Sequence, residues 1–201
     1  MRTAIRPVLV GLLALAAALA ACRGPMPAMQ FYTLTPQAAP AAVPAPNPAS
    51  VGVGPLDIPL ALDRPQIVTR SAENQLDMAE FHRWGGSLAG DILASLTADL
   101  SALLGSDRVV AHPWTRFIEP EFRVPVEIHR FDGKLGGEVT LVATWAVHRK
   151  GEATPRVVRK SFLEEPTAGP DYAALVEAHS RALAGLSREI AAEISRQMAG
   201  N

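Results

Sequence analysis

The period of the hydrophobic positions changes several times along this 201-residue chain, and each change marks an element. Leu88, Ile92, Leu96, Leu100 and Leu103 recur every three or four residues, with Asp91 and Asp99 off the stripe. That period predicts an amphipathic helix. Ser87 is placed to cap its start and Gly105 to stop it. A second stripe, Tyr172, Val176, His179, Leu183, Leu186, Ile190 and Ile194, predicts a longer helix opened by Asp171. Between the two helices the period falls to two. Phe122, Val124, Val126 and Ile128 share one face, as do Val139, Leu141, Ala143, Trp145 and Val147. Glycines around 133–137 make these runs a hairpin. "RVVRKSF" predicts one more antiparallel strand, with Arg156, Arg159 and Lys160 as a solvated or edge-protecting set.

Upstream, "VGVGPLDIP", "RPQIVTR" and "RVVAHPW" read as strands and "SAEN" as a turn. "QLDMAEF" reads either as a hairpin partner or, with Asp77 and Glu80 as a capping box, as a helix start. Strands with two long helices on one sheet predict a single α/β domain whose mixed sheet is mostly antiparallel.

The pattern at the N-terminus is different. Arg2 and Arg6 precede an uncharged apolar run over residues 8–21. Its 14 residues make about 21 Å of helix, short of the roughly 30 Å hydrocarbon core. A positive start, a short apolar run and small residues at its end describe a secretory signal. The run stops at Cys22, the only cysteine. A lone cysteine is open to several uses: nucleophile, metal ligand, intermolecular disulfide, inert core residue or lipid anchor. It excludes an intrachain disulfide and a zinc site built from several thiolates. After it, residues 22–30 make a tether, "FYTL" (31–34) favours β structure, and residues 36–50 are proline-rich. If 31–34 joins the sheet, residues 23–30 alone separate domain from Cys22, a reach of about 27 Å at most, and the proline-rich stretch is a surface loop. If not, that stretch is a spacer.

Composition narrows the chemistry. A net charge of -1 and 5% aromatics leave no basic field or stacking platform for nucleic acid. None of the histidines, His82, His112, His129, His148 and His179, is paired at metal-ligand spacing. His129 and His148 read as cross-strand neighbours that lack a third ligand, and His179 as a core or interface residue. Neither glycine-rich stretch fits a phosphate loop, and no G-x-S-x-G elbow exists. The residues indicate no catalytic or metal site and no non-covalent cofactor.

Leu19-Ala20-Ala21-Cys22 resembles the bacterial lipobox. That resemblance implies a signal peptide over residues 1–21 and a Cys22 sulfur bearing diacylglycerol, with an N-acyl chain on the new terminus. The other reading is an ordinary signal peptide with an incidental cysteine. Arg23 is not the Asp that retains Gram-negative lipoproteins at the inner membrane, so the sorting pattern implies the outer membrane. "FYTLTP", "LDRPQIVTR", "FHRWGGSLAGDILASLTADLSALLGSDRVVAHPW" and the hairpin "EFRVPVEIHRFDGKLGGEVTLVATWAV" are similar to the ABC-type transport auxiliary lipoproteins, the PqiC/YmbA type. The most specific pieces are residues 63–68 and Arg83-Trp84. Gly85-Gly86-Ser87 departs from the more acidic, proline-containing helix start of that pattern. The resemblance implies an α/β domain over 31–201, held at the periplasmic face of the outer membrane. It further implies a partner of the MCE (mammalian cell entry) type in a lipid-transport complex, and a homo-oligomeric ring. A lipid-binding shuttle or chaperone is the alternative; an envelope hydrolase lacks any motif.

Overall fold

A computed structural model of the chain describes residues 27–40, 50–114 and 119–199. Eight strands form one mixed sheet: β1 (Gln30–Tyr32), β2 (Val51–Asp57), β3 (Gln66–Ala72), β4 (Gln75–Trp84), β5 (Val109–Ala111), β6 (Phe122–Gly133), β7 (Glu138–Arg149) and β8 (Val157–Pro166). Helix α1 spans Leu88–Leu104 and α2 spans Tyr172–Ala199.

The long strand β6 organises the sheet. One of its edges pairs along its length with β7, which pairs in turn with β8, both antiparallel. Its other edge is shared. The N-terminal half of β6 takes β2 in parallel, and β2 takes β5 in parallel. Its C-terminal end meets β3 through a single registered pair, Thr69 with Gly133. From there the sheet continues through the β3–β4 hairpin to β1, which lies parallel to β4. The antiparallel ladders are the longest, and the parallel pairings join them into one sheet.

Both helices lie against the sheet and pack on each other, α1 over β2 and β5, α2 over β6, β7 and β8. The alternating residues of β6 and β7 supply the inner face: Phe122, Val124, Val126, Ile128, Val139, Leu141, Ala143, Trp145 and Val147 are all buried. They meet Ile92, Leu96 and Leu100 of α1 and Leu183, Leu186 and Ile190 of α2 in one core. Each such fully buried aliphatic side chain contributes about 1.5–3 kcal/mol relative to exposure. Ser87 caps α1 by accepting from the Gly90 N–H, and Gly105 closes it in the left-handed conformation at φ 57°. The Asp171 carboxylate accepts from the Ala174 N–H at 2.8 Å and starts α2.

Several expectations need correction. "QLDMAEF" is the hairpin partner, strand β4, of the two readings open to it, but the turn before it is narrower than "SAEN": it is the Glu73-Asn74 pair, with Ser71 and Ala72 still in β3. The α1 stripe ends on Leu104, which is buried, while Leu103 is only half-covered. Asp99, off the stripe, is nonetheless buried, because the chain beyond β1 crosses over it. His129 and His148 are not neighbours. His148 is registered with Arg123, and a register shift between Ile128 and Arg130 turns His129 to Thr144, 2.7 Å away. Arg159 is not simply solvated, since it reaches across to the buried Glu193 of α2 at 2.9 Å.

Candidate functional site

The four residues of the predicted lipobox, Leu19, Ala20, Ala21 and Cys22, and the sorting residue Arg23 lie outside the described residues. The structure does place the end of the tether. β1 is registered on β4 as Gln30 with His82, Phe31 with Arg83 and Tyr32 with Trp84. The Tyr32 carbonyl accepts from the Gly85 N–H at 2.7 Å. The Tyr32 hydroxyl shares a hydrogen bond with His82 Nδ1 at 2.8 Å, and the His82 ring stacks on Tyr172 at 4.0 Å. Burial, aided by the nearby Asp171 charge, raises the Tyr32 phenol above its usual value, so it remains a neutral donor.

Beyond β1 the chain is laced to both helices. Thr33 Oγ1 donates to Asp91 Oδ2 at 3.1 Å, and the Thr35 N–H donates to Ser180 Oγ at 3.1 Å. The N–H groups of Gln37 and Ala38 both donate to Asp99 Oδ1 at 2.9 Å, and Ser187 supplies Oδ2. Burial pushes the Asp99 carboxyl up, and these donors offset only part of the shift. A carboxylate holding two successive amides acts here as a buckle over residues 37 and 38.

The two segments most specific in sequence meet near β1 at this end of the sheet. The Trp84 N–H donates to the Pro65 carbonyl at 2.8 Å, Gln66 is registered with Arg83, and β1 borders β4 on its other edge. Residues 63–68 and Arg83-Trp84 meet through the antiparallel β3–β4 pairing, and the parallel β1–β4 pairing, which no local pattern announces, brings β1 beside the latter.

Buried polar groups elsewhere hold the fold. His179 is fully buried, with Phe131 edge-on at 4.6 Å and its Nδ1 2.9 Å from the Leu175 carbonyl. Burial lowers its pKa to about 4, so it stays neutral in the core. Trp145 Nε1 donates to Ser161 Oγ, whose hydroxyl donates to Glu189 of α2. Two open clefts are more exposed. One, of about 340 Å³, is lined by Arg70, Arg130 and Lys134. The other, of about 270 Å³, is lined by His112, Trp114, Arg123 and His148, with the Arg123 guanidinium 6.0 Å from the Trp114 ring centre. Among the described residues no three His, Cys, Asp or Glu side chains converge to hold a metal, and no helix is long and apolar enough to cross a membrane.

The described residues form a single α/β domain whose first strand, β1, lies at an edge of the sheet. The family of the ABC-type transport auxiliary lipoprotein component matches residues 32–191, and the chain belongs to that family. Its fold is shared by two crystal structures. An uncharacterized protein superposes with a TM-score of 0.67 at 22% identity, covering 84% of this chain and 99% of its own. A protein from Xanthomonas campestris, assigned to family DUF330, superposes with a TM-score of 0.69 at 16% identity, covering 86% and 99%. No curated protein matches the sequence.

Proposed function

We propose that this chain is an outer-membrane lipoprotein that docks a transport system of the MCE type, which moves lipids or other hydrophobic molecules between the two membranes. Family membership makes it an auxiliary component of ABC-type transport. The observation that favours docking is β1: because it joins the sheet from Gln30, only residues 23–29 separate the domain from Cys22, which lies about 27 Å from Gln30 at most. In this reading Cys22 carries diacylglycerol and an N-acyl chain after cleavage behind Ala21. More than one acyl chain is what stable anchoring needs. Arg23 then directs the protein to the outer membrane, with the domain on the periplasmic face.

The sheet branches at β6 and has three edge strands, β1, the three-residue β5 and the ten-residue β8. With β1 at the anchor, β8 is the longest edge left for partners, and it exposes Val158 and Phe162. An MCE-domain protein, or neighbouring copies in a homo-oligomeric ring, would meet the domain there. The shuttle alternative needs an apolar cavity between the hairpin and α2. Leu141, Trp145, Leu183 and Ile190 are instead buried together in that layer, which favours docking.

Cross-linking in intact cells followed by purification of the acylated protein is expected to recover an MCE-domain protein. Native mass spectrometry of the purified protein separates the alternative: bound phospholipid in the domain supports a shuttle, and repeated absence of an MCE-domain protein removes the docking reading.

A further inference from the structure

Large exposed apolar side chains are unevenly distributed on this domain. Among the described residues they are Met29 (39% exposed), Phe31 (66%), Leu60 (86%), Met78 (54%), Val158 and Phe162. The last two sit on β8. The other four lie just before and on β1, on β4 and in the loop joining β2 to β3. Register and one contact link these elements: Phe31 is registered with Arg83, Arg83 with Gln66, and Arg64 Nη1 reaches Met78 Sδ at 2.6 Å. Leu60 belongs to the turn that leads into Arg64, closed by the Leu62 N–H on the Pro59 carbonyl. Scattered apolar residues need no explanation, but a connected set does.

The two arginines in this set are unusual too. The Nε atoms of Arg64 and Arg83 are buried without a hydrogen-bond partner, and neither guanidinium has a carboxylate partner among the described residues. Asp63, Asp77 and Glu80 are exposed on the same elements, so the set has no net positive field. Its character is apolar side chains beside half-buried guanidinium groups, which suits an interface of acyl chains below and phosphates above.

We infer that this corner, Met29, Phe31, Leu60 and Met78 with Arg64 and Arg83, lies directly on the phospholipid surface that holds the anchor. The inference rests on the lipidated Cys22 proposed above. The occupant follows from the tether: it enters the domain at Gln30, and eight residues keep that end within about 27 Å of the lipidated cysteine. Shallow insertion of Phe31, Leu60 and Met78 would orient a domain that the tether alone leaves free to rotate, and would turn β8 toward the periplasm.

The test uses the full acylated chain. Cys22 is the only native cysteine, and acylation consumes its thiol, so one added cysteine takes one fluorophore. Leu60→Cys, Met78→Cys and, on β8, Phe162→Cys are labelled separately and reconstituted into vesicles of phosphatidylethanolamine and phosphatidylglycerol, with and without brominated acyl chains. A blue shift and bromine quenching are expected at Leu60 and Met78, with no quenching above background at Phe162. Incorporation with equal quenching at all three positions overturns the orientation and leaves the anchor intact. Labels at 60 and 78 that stay wet until a partner protein or a second copy is added identify a protein interface and also overturn it. Failure to incorporate overturns the anchor reading, and the inference with it.

Discussion

Arg70 grips Asp132 with two parallel hydrogen bonds, Nε to Oδ1 and Nη2 to Oδ2, both at 2.8 Å. The pair spans the seam where β3 and β6 share one registered residue pair. Arg70 also donates to the Glu73 carbonyl in the β3–β4 turn, and Arg130 adds a third contact to Asp132 at 3.0 Å. Burial pushes the Asp132 carboxyl up, and the two guanidiniums more than reverse this, leaving it below the usual range. The seam is therefore joined mainly by side chains, and through it strands β1, β4 and β3 are connected to the rest of the sheet.

Arg70→Met removes the fork and leaves Asp132 with Arg130 alone. A stability loss of about 1–3 kcal/mol is expected in urea unfolding, because a buried carboxylate loses its bidentate partner. Amide hydrogen exchange should speed up in β3 and β4 before β7 and β8. Uniform acceleration across the sheet would show that the clip does not act locally.

His179 makes stability depend on pH. Its folded pKa of about 4 lies below the ordinary 6.5, first because burial disfavours the cation. The Leu175 and Phe131 carbonyls and the more distant Asp132 oppose this shift only in part. The unfolded chain therefore binds the proton first. The stability is fully present above about pH 6.5 and declines as pH falls toward 4, by about 3 kcal/mol in all. Melting temperature should drop over that window in the native chain. His179→Leu should flatten the drop, whatever its effect at pH 7; an unchanged slope would rule His179 out as its source.

Periodicity carried the helices and the central hairpin because local burial decides them. The stripe from Leu88 to Leu100 with its caps, and the alternation of β6 and β7, state which face meets the core. Parallel neighbours leave no such mark. Nothing in "QFY" says that it pairs with residues 82–84, because the partner lies some fifty positions away. The burial of Asp99 leaves no mark for a related reason: the segment that covers it, residues 37 and 38, lies some sixty positions away. The site shows the same division. The specific segments around Arg64 and Arg83 stood out in the sequence, whereas their meeting with Phe31 required the fold. Register hid the rest, since His148 pairs with Arg123, six positions along β6 from His129.

Asp99 ties the segment beyond β1 to the helices, and its substitution should loosen that segment selectively. Asp99→Leu leaves the Gln37 and Ala38 amides without their shared acceptor. Limited proteolysis is expected to begin within residues 35–50, with a stability loss of about 1–3 kcal/mol. Asp99→Asn keeps an acceptor oxygen for both amides and should restore resistance. Equal sensitivity of the two variants would mean that packing, not the buckle, holds this stretch.

The tether makes the sharpest demand on Cys22. If acyl chains on its sulfur and amine hold the protein, Cys22→Ser removes all of them at once while leaving every described contact of the fold in place. Each buried methylene is worth about 0.8 kcal/mol, so no exposed patch on the domain replaces what is lost. The expected result is a protein released from washed outer membranes, retaining its uncleaved signal or appearing in the soluble periplasm, with no incorporation of labelled fatty acid. The Leu19→Asp variant should block acylation in the same way by spoiling the lipobox while keeping the thiol. Arg23→Asp should instead leave acylation intact and move the protein to the inner membrane. Density-gradient separation of the two membranes, read alongside fatty-acid labelling, distinguishes the three variants. Cys22→Ser protein that stays with the outer membrane after a high-salt wash would show that something other than lipid holds it there.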